Sequence, residues 1–255
     1  MAGLYIHIPF CQSRCIYCDF YSTTCLSSKD KYVAALLSEL ENWGQNRSWC
    51  SDGGVLNTVY IGGGTPTTLE PEQLDTLLGY IVDILPMEHV REFTVEAGRP
   101  DSITREKLEV LRRYPVSRIS VNPQTMSDKT LKFIGRNHTV GQLKDVYAMA
   151  RELGFDNINM DLIAGLTGDT YDSFKNSVDT AVSMGAENIT LHTLALKRSS
   201  AIVTGGVDVE SGETANKMLQ YAQNRFYSAG YIPYYMYRQS RSLGNLVNVG
   251  WCKPG

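Results

Sequence analysis

No apolar stretch in this 255-residue chain approaches the roughly 18 residues that a bilayer-spanning helix requires. Hydrophobic residues make up 43% and charged residues 20%, the proportions of a chain that folds around its own core, so a soluble protein is expected. Long basic blocks are also missing: 24 Lys and Arg stand against 27 Asp and Glu, a net charge of -3. That balance leaves no electrostatic footprint for nucleic acid or an anionic membrane surface. Any anionic ligand must be held by a few placed arginines and lysines. Cysteine is scarce: six residues are too few for a disulfide scaffold, and no positively charged segment followed by an apolar run opens the sequence. The thiols are expected to stay reduced, in the cytoplasm.

Three of the six cysteines nevertheless stand together in Cys11-Gln12-Ser13-Arg14-Cys15-Ile16-Tyr17-Cys18, directly behind the apolar run Leu4-Tyr5-Ile6-His7-Ile8-Pro9-Phe10. Thiolates at this spacing on a loop can wrap one face of an iron–sulfur cube. Three thiolates leave one iron without a protein ligand, and such an iron can bind a substrate or cofactor directly. A structural zinc site competes: it wants four N or S ligands, and His7 lies four residues before Cys11. Against it, alternation along a strand Leu4–Ile8 sets Tyr5 and His7 on the face opposite Leu4, Ile6 and Ile8, which points His7 into a packed or polar interior. Cys25, Cys50 and Cys252 fit no cluster spacing and are expected to be plain thiols.

Strand and helix patterns alternate along the chain. Tyr32, Val33, Leu36, Leu37 and Leu40 recur at helical spacing, with Ser28 or Asp30 available as N-cap. A polar surface loop over 45–54, holding Trp49 and Cys50, precedes a β-branched strand over 55–61 that ends at Gly62-Gly63-Gly64-Thr65-Pro66. Leu74, Leu77, Leu78 and Ile81 then continue as a helix behind Pro71. The unit repeats with strands over 90–96, 116–121, 157–163 and 188–196. The helices between them include one capped by Thr104 and one opened by a Thr139/Gln142 capping box. Residues 232–237 form a seventh candidate strand. Six strand–helix units imply right-handed crossovers and a parallel sheet, too few for a closed eight-fold barrel and compatible with an open doubly wound sheet. The unusual residues fall after strands: Cys11, Gly62 to Thr65, Glu96, Gln124, Asp161, Lys197 and Arg198. In parallel α/β architectures the carboxyl ends of the strands form the active face.

The opening Tyr5-Ile-His-Ile-Pro-Phe-Cys11-x-x-x-Cys15-x-Tyr-Cys18-Asp19-Phe20 resembles that of the oxygen-independent coproporphyrinogen III oxidase group of radical S-adenosylmethionine (SAM) proteins. Glu96-Ala-Gly-Arg-Pro-Asp101, Ile119-Ser-Val-Asn-Pro-Gln-Thr-Met126 and Gly244-Asn-Leu-Val-Asn-Val-Gly250 look most like its coproporphyrinogen dehydrogenase (HemZ-type) branch. The resemblance runs from about residue 4 to the end. It implies a partial (βα)6 TIM-like barrel, with residues 1–255 as the radical SAM core domain lacking flanking family segments. It also implies a [4Fe-4S] cluster on Cys11, Cys15 and Cys18 whose open iron chelates SAM.

The same resemblance assigns further roles. Gly63, Gly64 and Thr65 would meet the SAM amino group, and Glu96, Gln124, Arg136 and Asp161 match the family's acidic residue, glutamine, arginine and aspartate. Tyr5, Tyr17 and Leu194 match lesser contacts. The chemistry suits the ligand, since a zwitterionic sulfonium needs an arginine for its carboxylate, an acceptor for its amine and polar partners for its ribose. The reaction implied is oxidative decarboxylation of coproporphyrinogen III propionates to vinyl groups in heme biosynthesis, fed by a one-electron donor such as flavodoxin or ferredoxin. The substrate's carboxylates make Arg99, Lys197, Arg198, Arg238 and Arg241 the candidate substrate contacts. One branch of the family binds and delivers heme without oxidase activity. Its members tend to carry a His-Asn pair near Gly244-Asn245, where this chain has no histidine after His192.

Overall fold

The computed structural model describes residues 2–45 and 55–254, so Trp49, Cys50 and nearly all of the loop expected over 45–54 lie outside the described residues. Two units are distinguishable, one made of Met1–Gln12, Tyr21–Ser120 and Val146–Phe155, the other of Ser13–Phe20, Val121–Asp145 and Asp156–Gly255.

In the first unit, β1 (Ala2–Ile8) pairs in parallel with β2 (Leu56–Gly63), which pairs in parallel with β3 (Glu92–Gly98). Alternation puts Ile6, Ile8, Val59, Ile61, Phe93 and Val95 in the core. Helices α1 (Lys29–Gln45), α2 (Pro71–Ile84) and α3 (Arg105–Arg113) follow β1, β2 and β3 in turn. In α2 the spacing of Leu74, Leu77, Leu78 and Ile81 places all four on one face, and all four are fully buried. Burial of such a side chain stabilises the fold by about 1.5–3 kcal/mol. Pro71 starts α2 where its missing N–H costs nothing, and Gln73 Oε1 accepts from Glu70 N at 2.9 Å to close the capping box. The Thr104 hydroxyl accepts from Lys107 N at 3.3 Å and so opens α3.

β4 (Arg118–Val121) follows α3, and α4 (Asp128–Phe133) and α5 (Val140–Glu152) come next. The expected box at the start of α5 is present: Thr139 N donates to Gln142 Oε1 at 2.8 Å and Gln142 N to the Thr139 hydroxyl at 3.2 Å. In the second unit, β5 (Ile158–Ala164) pairs in parallel with β6 (Asn188–Thr193), with α6 (Tyr171–Met184) between them in sequence. After α7 (Ala201–Thr204) and α8 (Gly212–Ser228), the chain enters β7 (Ile232–Tyr237) and β8 (Asn248–Cys252). β8 is antiparallel to both β6 and β7. This corrects the expectation of a wholly parallel sheet. A direct return over residues 238–247 joins β7 to β8, and antiparallel neighbours need no helical crossover.

Candidate active site

In the first unit the strand ends bring the glycine run, Cys11 and Glu96 together. Gly64 N donates to Ile8 O at 2.8 Å. A Cβ on Gly64 would stand 2.7 Å from Phe10 O and 3.1 Å from Cys11 Sγ, so only glycine lets β2 run this close to the first cysteine. Gly63 has φ +111°, and a Cβ there would meet the His7 ring at 2.7 Å. Its N–H donates to Glu96 Oε2 at 3.2 Å, while the Tyr60 hydroxyl donates to Oε1. The buried Thr65 hydroxyl lies 3.5 Å from Cys11 Sγ.

Behind these groups, the Thr67 hydroxyl donates to Ala97 O at 2.7 Å and the Lys107 ammonium donates to Thr67 O at 2.6 Å and Ser102 O at 3.2 Å. These bonds tie the turn after β2 to the turn after β3. Burial pulls the Lys107 amine below the usual lysine range. Arg99 is buried and its guanidinium is committed to Asp101, with Nε and Nη2 each 3.2 Å from a carboxylate oxygen. It is therefore not presented as a cation at an open mouth. Tyr5, 55% exposed, has its hydroxyl 2.9 Å from His7 Nδ1, and His7 Nε2 is 2.9 Å from Tyr21 O. A carbonyl only accepts, so Nε2 carries the proton and Nδ1 accepts from Tyr5. Both ring nitrogens of His7 are thus engaged within the chain.

The second unit holds Cys15, Tyr17 and Cys18. Ile16 N donates to Ile134 O at 3.1 Å, Cys18 N to Cys15 O at 3.0 Å and the Ser13 hydroxyl to Gly135 O at 3.0 Å. The loop is thereby pinned to the end of α4. Arg136 Nη1 donates to Asn122 O at 3.0 Å and Nη2 to the Tyr17 hydroxyl at 3.4 Å. Burial raises the Tyr17 phenol above its ordinary range, against the opposing pull of Arg136.

Gln124 adopts φ 66°, a left-handed conformation uncommon for a side chain of this size. Its backbone N donates to Asp161 O at 2.8 Å and its carbonyl accepts from Ile163 N at 3.0 Å, which ties it to β5. Asp161 takes a 2.8 Å hydrogen bond from Asn159 Nδ2 at Oδ1, and its own N–H donates to Asn122 Oδ1 at 3.2 Å. Burial would raise the Asp161 carboxyl, but His192, Asn159 and Arg136 together outweigh it and hold the group below the usual carboxylate range. Leu194 lies in an apolar cluster with Leu131, Ile134, Ile163, Leu166 and Ile202, against which Tyr17 packs.

Lys197 and Arg198 lie on the loop after β6, and Arg238 and Arg241 on the loop after β7. The two loops are joined where Leu196 N donates to Arg241 O at 2.9 Å and Ala195 bridges Ser242. Arg198, Arg238 and Arg241 are exposed.

Tyr60, Asn122, Asn159 and His192 were not read from the sequence as members of this site. For His192 a signal was present, since Asn188, Thr190 and His192 alternate with Ile189 and Leu191 along one strand.

The sequence matches the Radical SAM superfamily over residues 5–181. This chain belongs to the radical SAM superfamily. It is 40% identical over 260 residues to the oxygen-independent coproporphyrinogen-III oxidase-like protein HemZ of Bacillus subtilis, covering 99% of this chain and 51% of that protein. It is also 40% identical over 199 residues to heme chaperone HemW of Bacillus subtilis, covering 77% of this chain and 51% of that one. Among solved structures, coproporphyrinogen III oxidase (HemN) from Escherichia coli aligns with a TM-score of 0.81 at 22% identity, over 99% of this chain and 55% of that one. The chain thus spans about half the length of these relatives. The likeness to HemN establishes the fold as the α/β half-barrel, with a mixed eight-stranded sheet in the order β1-β2-β3-β4-β5-β6-β8-β7. Among the described residues no helix is long and apolar enough to cross a membrane.

Membership of this superfamily implies an iron–sulfur cluster and SAM, and the donor set fits them. None of the described cysteines is in a disulfide, and the glycine cradle beside Cys11 admits no side chain. Among the described residues no three His, Cys, Asp or Glu side chains converge as a ready-made site for a single ion.

Proposed function

We propose that this chain is the catalytic core of a radical SAM enzyme acting on a tetrapyrrole, by oxidative decarboxylation of coproporphyrinogen III propionates to vinyl groups. Cys11, Cys15 and Cys18 hold the [4Fe-4S] cluster and leave one iron for SAM. The observation that carries the reading is the Gly63 amide fixed on Glu96 beside Cys11. A cysteine, a glycine floor and a carboxylate in one place suit a small zwitterion at a cluster's open corner.

When bound and reduced, the cluster supplies one electron for cleavage of a C–S bond of SAM. The chain's own groups bind and orient. Glu96 with Gly63, Gly64 and Thr65 receives the SAM amine, and Arg136 neutralises its carboxylate. Asp161 and Gln124 accept and donate at the ribose, with Tyr5, Tyr17 and Leu194 as flanking contacts. Lys197, Arg198, Arg238 and Arg241 take the substrate's carboxylates, and Arg99, bound to Asp101, braces the turn after β3. A flavodoxin- or ferredoxin-like protein in the cytoplasm is the expected electron source.

The identity with heme chaperone HemW supports a second reading, a heme-binding protein without oxidase activity. Anaerobic incubation with coproporphyrinogen III, SAM and a reductant, beside a spectral titration with heme, separates the two. Vinyl products support the enzyme. Tight stoichiometric heme binding with no turnover supports the chaperone.

A further inference from the structure

The second unit contains a polar array of which the proposed function uses only Asp161. His192 Nε2 lies 3.7 Å from Asp161 Oδ2, and His192 Nδ1 lies 3.3 Å from the Tyr237 hydroxyl. The register accounts for the first contact. β5 pairs Asp161 with Thr190 and Ile163 with His192, so Asp161 and His192 are diagonal neighbours on one face. The second contact crosses β8, where Asn248 stands opposite Tyr237. Tyr237 stacks on Tyr235 at 6.0 Å with 12° between the rings, and the Tyr235 hydroxyl donates to Thr190 Oγ1 at 3.4 Å. Gly250 makes this crossing possible, because a Cβ there would stand 2.0 Å from the Tyr235 ring. On the far side of the carboxylate, Asn159 holds Oδ1 and itself accepts from the Thr190 hydroxyl at 3.0 Å.

With the Tyr237 phenol donating to Nδ1, Nε2 carries the imidazole proton and faces Asp161 at 3.7 Å, a polar approach longer than a hydrogen bond. We infer that His192 and Tyr237 are positioning residues for the ribose of SAM. Tyr237 fixes the imidazole, and the imidazole aims Asp161 Oδ2 at a ribose hydroxyl. The inference rests on the cofactor reading above and adds the β7 edge strand to the cofactor site. Only the Asp161 end touches the ligand; the other two side chains act through it.

The test is calorimetric titration of the anaerobically reconstituted chain and its variants with SAM, with thermal unfolding recorded for each. His192→Asn, which cannot reach Asp161, is expected to weaken SAM binding about tenfold, and Tyr237→Phe about threefold, as for loss of a polar contact to a charged group or of its support. His192→Gln places an amide donor where Nε2 stood and is expected to restore affinity to within about twofold, every variant remaining folded at the temperature of the titration. Unaltered affinity in both His192→Asn and Tyr237→Phe would overturn the inference while leaving the cofactor reading intact. Failure of His192→Gln to restore binding would overturn it too, since a purely structural role has no need of that donor. If His192→Asn does not fold, Tyr237→Phe decides. Absence of SAM binding by the parent chain would overturn the cofactor reading and this inference together.

Discussion

Arg136 donates through Nη2 to the hydroxyl of Tyr17 at 3.4 Å, which ties the guanidinium to the residue between Cys15 and Cys18. The cysteine loop and the proposed carboxylate-binding arginine are thus positioned by one another. Arg136→Ala and Asp161→Ala should each weaken SAM binding by about 1–3 kcal/mol, the worth of a charge-assisted hydrogen bond. Arg198→Ala and Arg238→Ala, on the exposed loops after β6 and β7, should leave it unchanged. Calorimetry on the reconstituted proteins reads the difference.

Replacement of Cys11, Cys15 or Cys18 by Ala should abolish the brown iron–sulfur absorbance, because each removes a thiolate from one iron. Cys25→Ala and Cys252→Ala should keep it. Iron and sulfide analysis after anaerobic reconstitution is the check, and a full cluster in any of the first three variants would refute the ligand assignment.

Gly64→Ala should lower both cluster occupancy and the unfolding midpoint. Its Cβ would be driven within 2.7 Å of Phe10 O and 3.1 Å of Cys11 Sγ, and a backbone oxygen cannot rotate aside as a side chain can. Gly206→Ala, at a turn with nothing within 4 Å of the added carbon, isolates the cost of a positive φ alone. It should lower the midpoint without touching iron content.

Asp161 makes stability depend on acid. Its carboxyl lies below the ordinary 3.8 in the folded chain despite burial, because His192, Asn159 and Arg136 favour the charged form. The unfolded chain therefore binds its proton first as pH falls. The contribution is complete above 3.8 and is lost as pH drops through the folded value. Denaturant unfolding should show the stability difference between parent and Asp161→Asn constant near neutral pH and narrowing as pH falls below about 5.

Much of this arrangement was legible in the sequence. The leucines of α2, the Thr104 cap and the Thr139/Gln142 box are local signals, set by periodicity and by side chains reaching three residues along the chain. The cysteine loop and the glycine run are local as well. β8 was missed because Asn248-Val-Gly-Trp-Cys is short and carries a glycine. Its place between β6 and β7 depends on pairing with residues about 15 and 60 positions away. No local signal marks Lys107. Its ammonium is buried against two carbonyls only because two turns after separate strands converge there. His192 acquires a role from Tyr237, 45 residues later, and no spacing rule links them. The direction of β8 also decides which basic loops adjoin, so Lys197 and Arg241 could be named as candidates but not as neighbours.

The most direct test of the central claim is the fate of SAM on the reduced protein. Reconstituted anaerobically and given a strong one-electron reductant, the 255-residue chain should bind SAM and release 5′-deoxyadenosine, detected by chromatography. Arg136→Ala should lower that release. A protein with full iron and sulfide content that neither binds SAM nor forms 5′-deoxyadenosine would contradict the account.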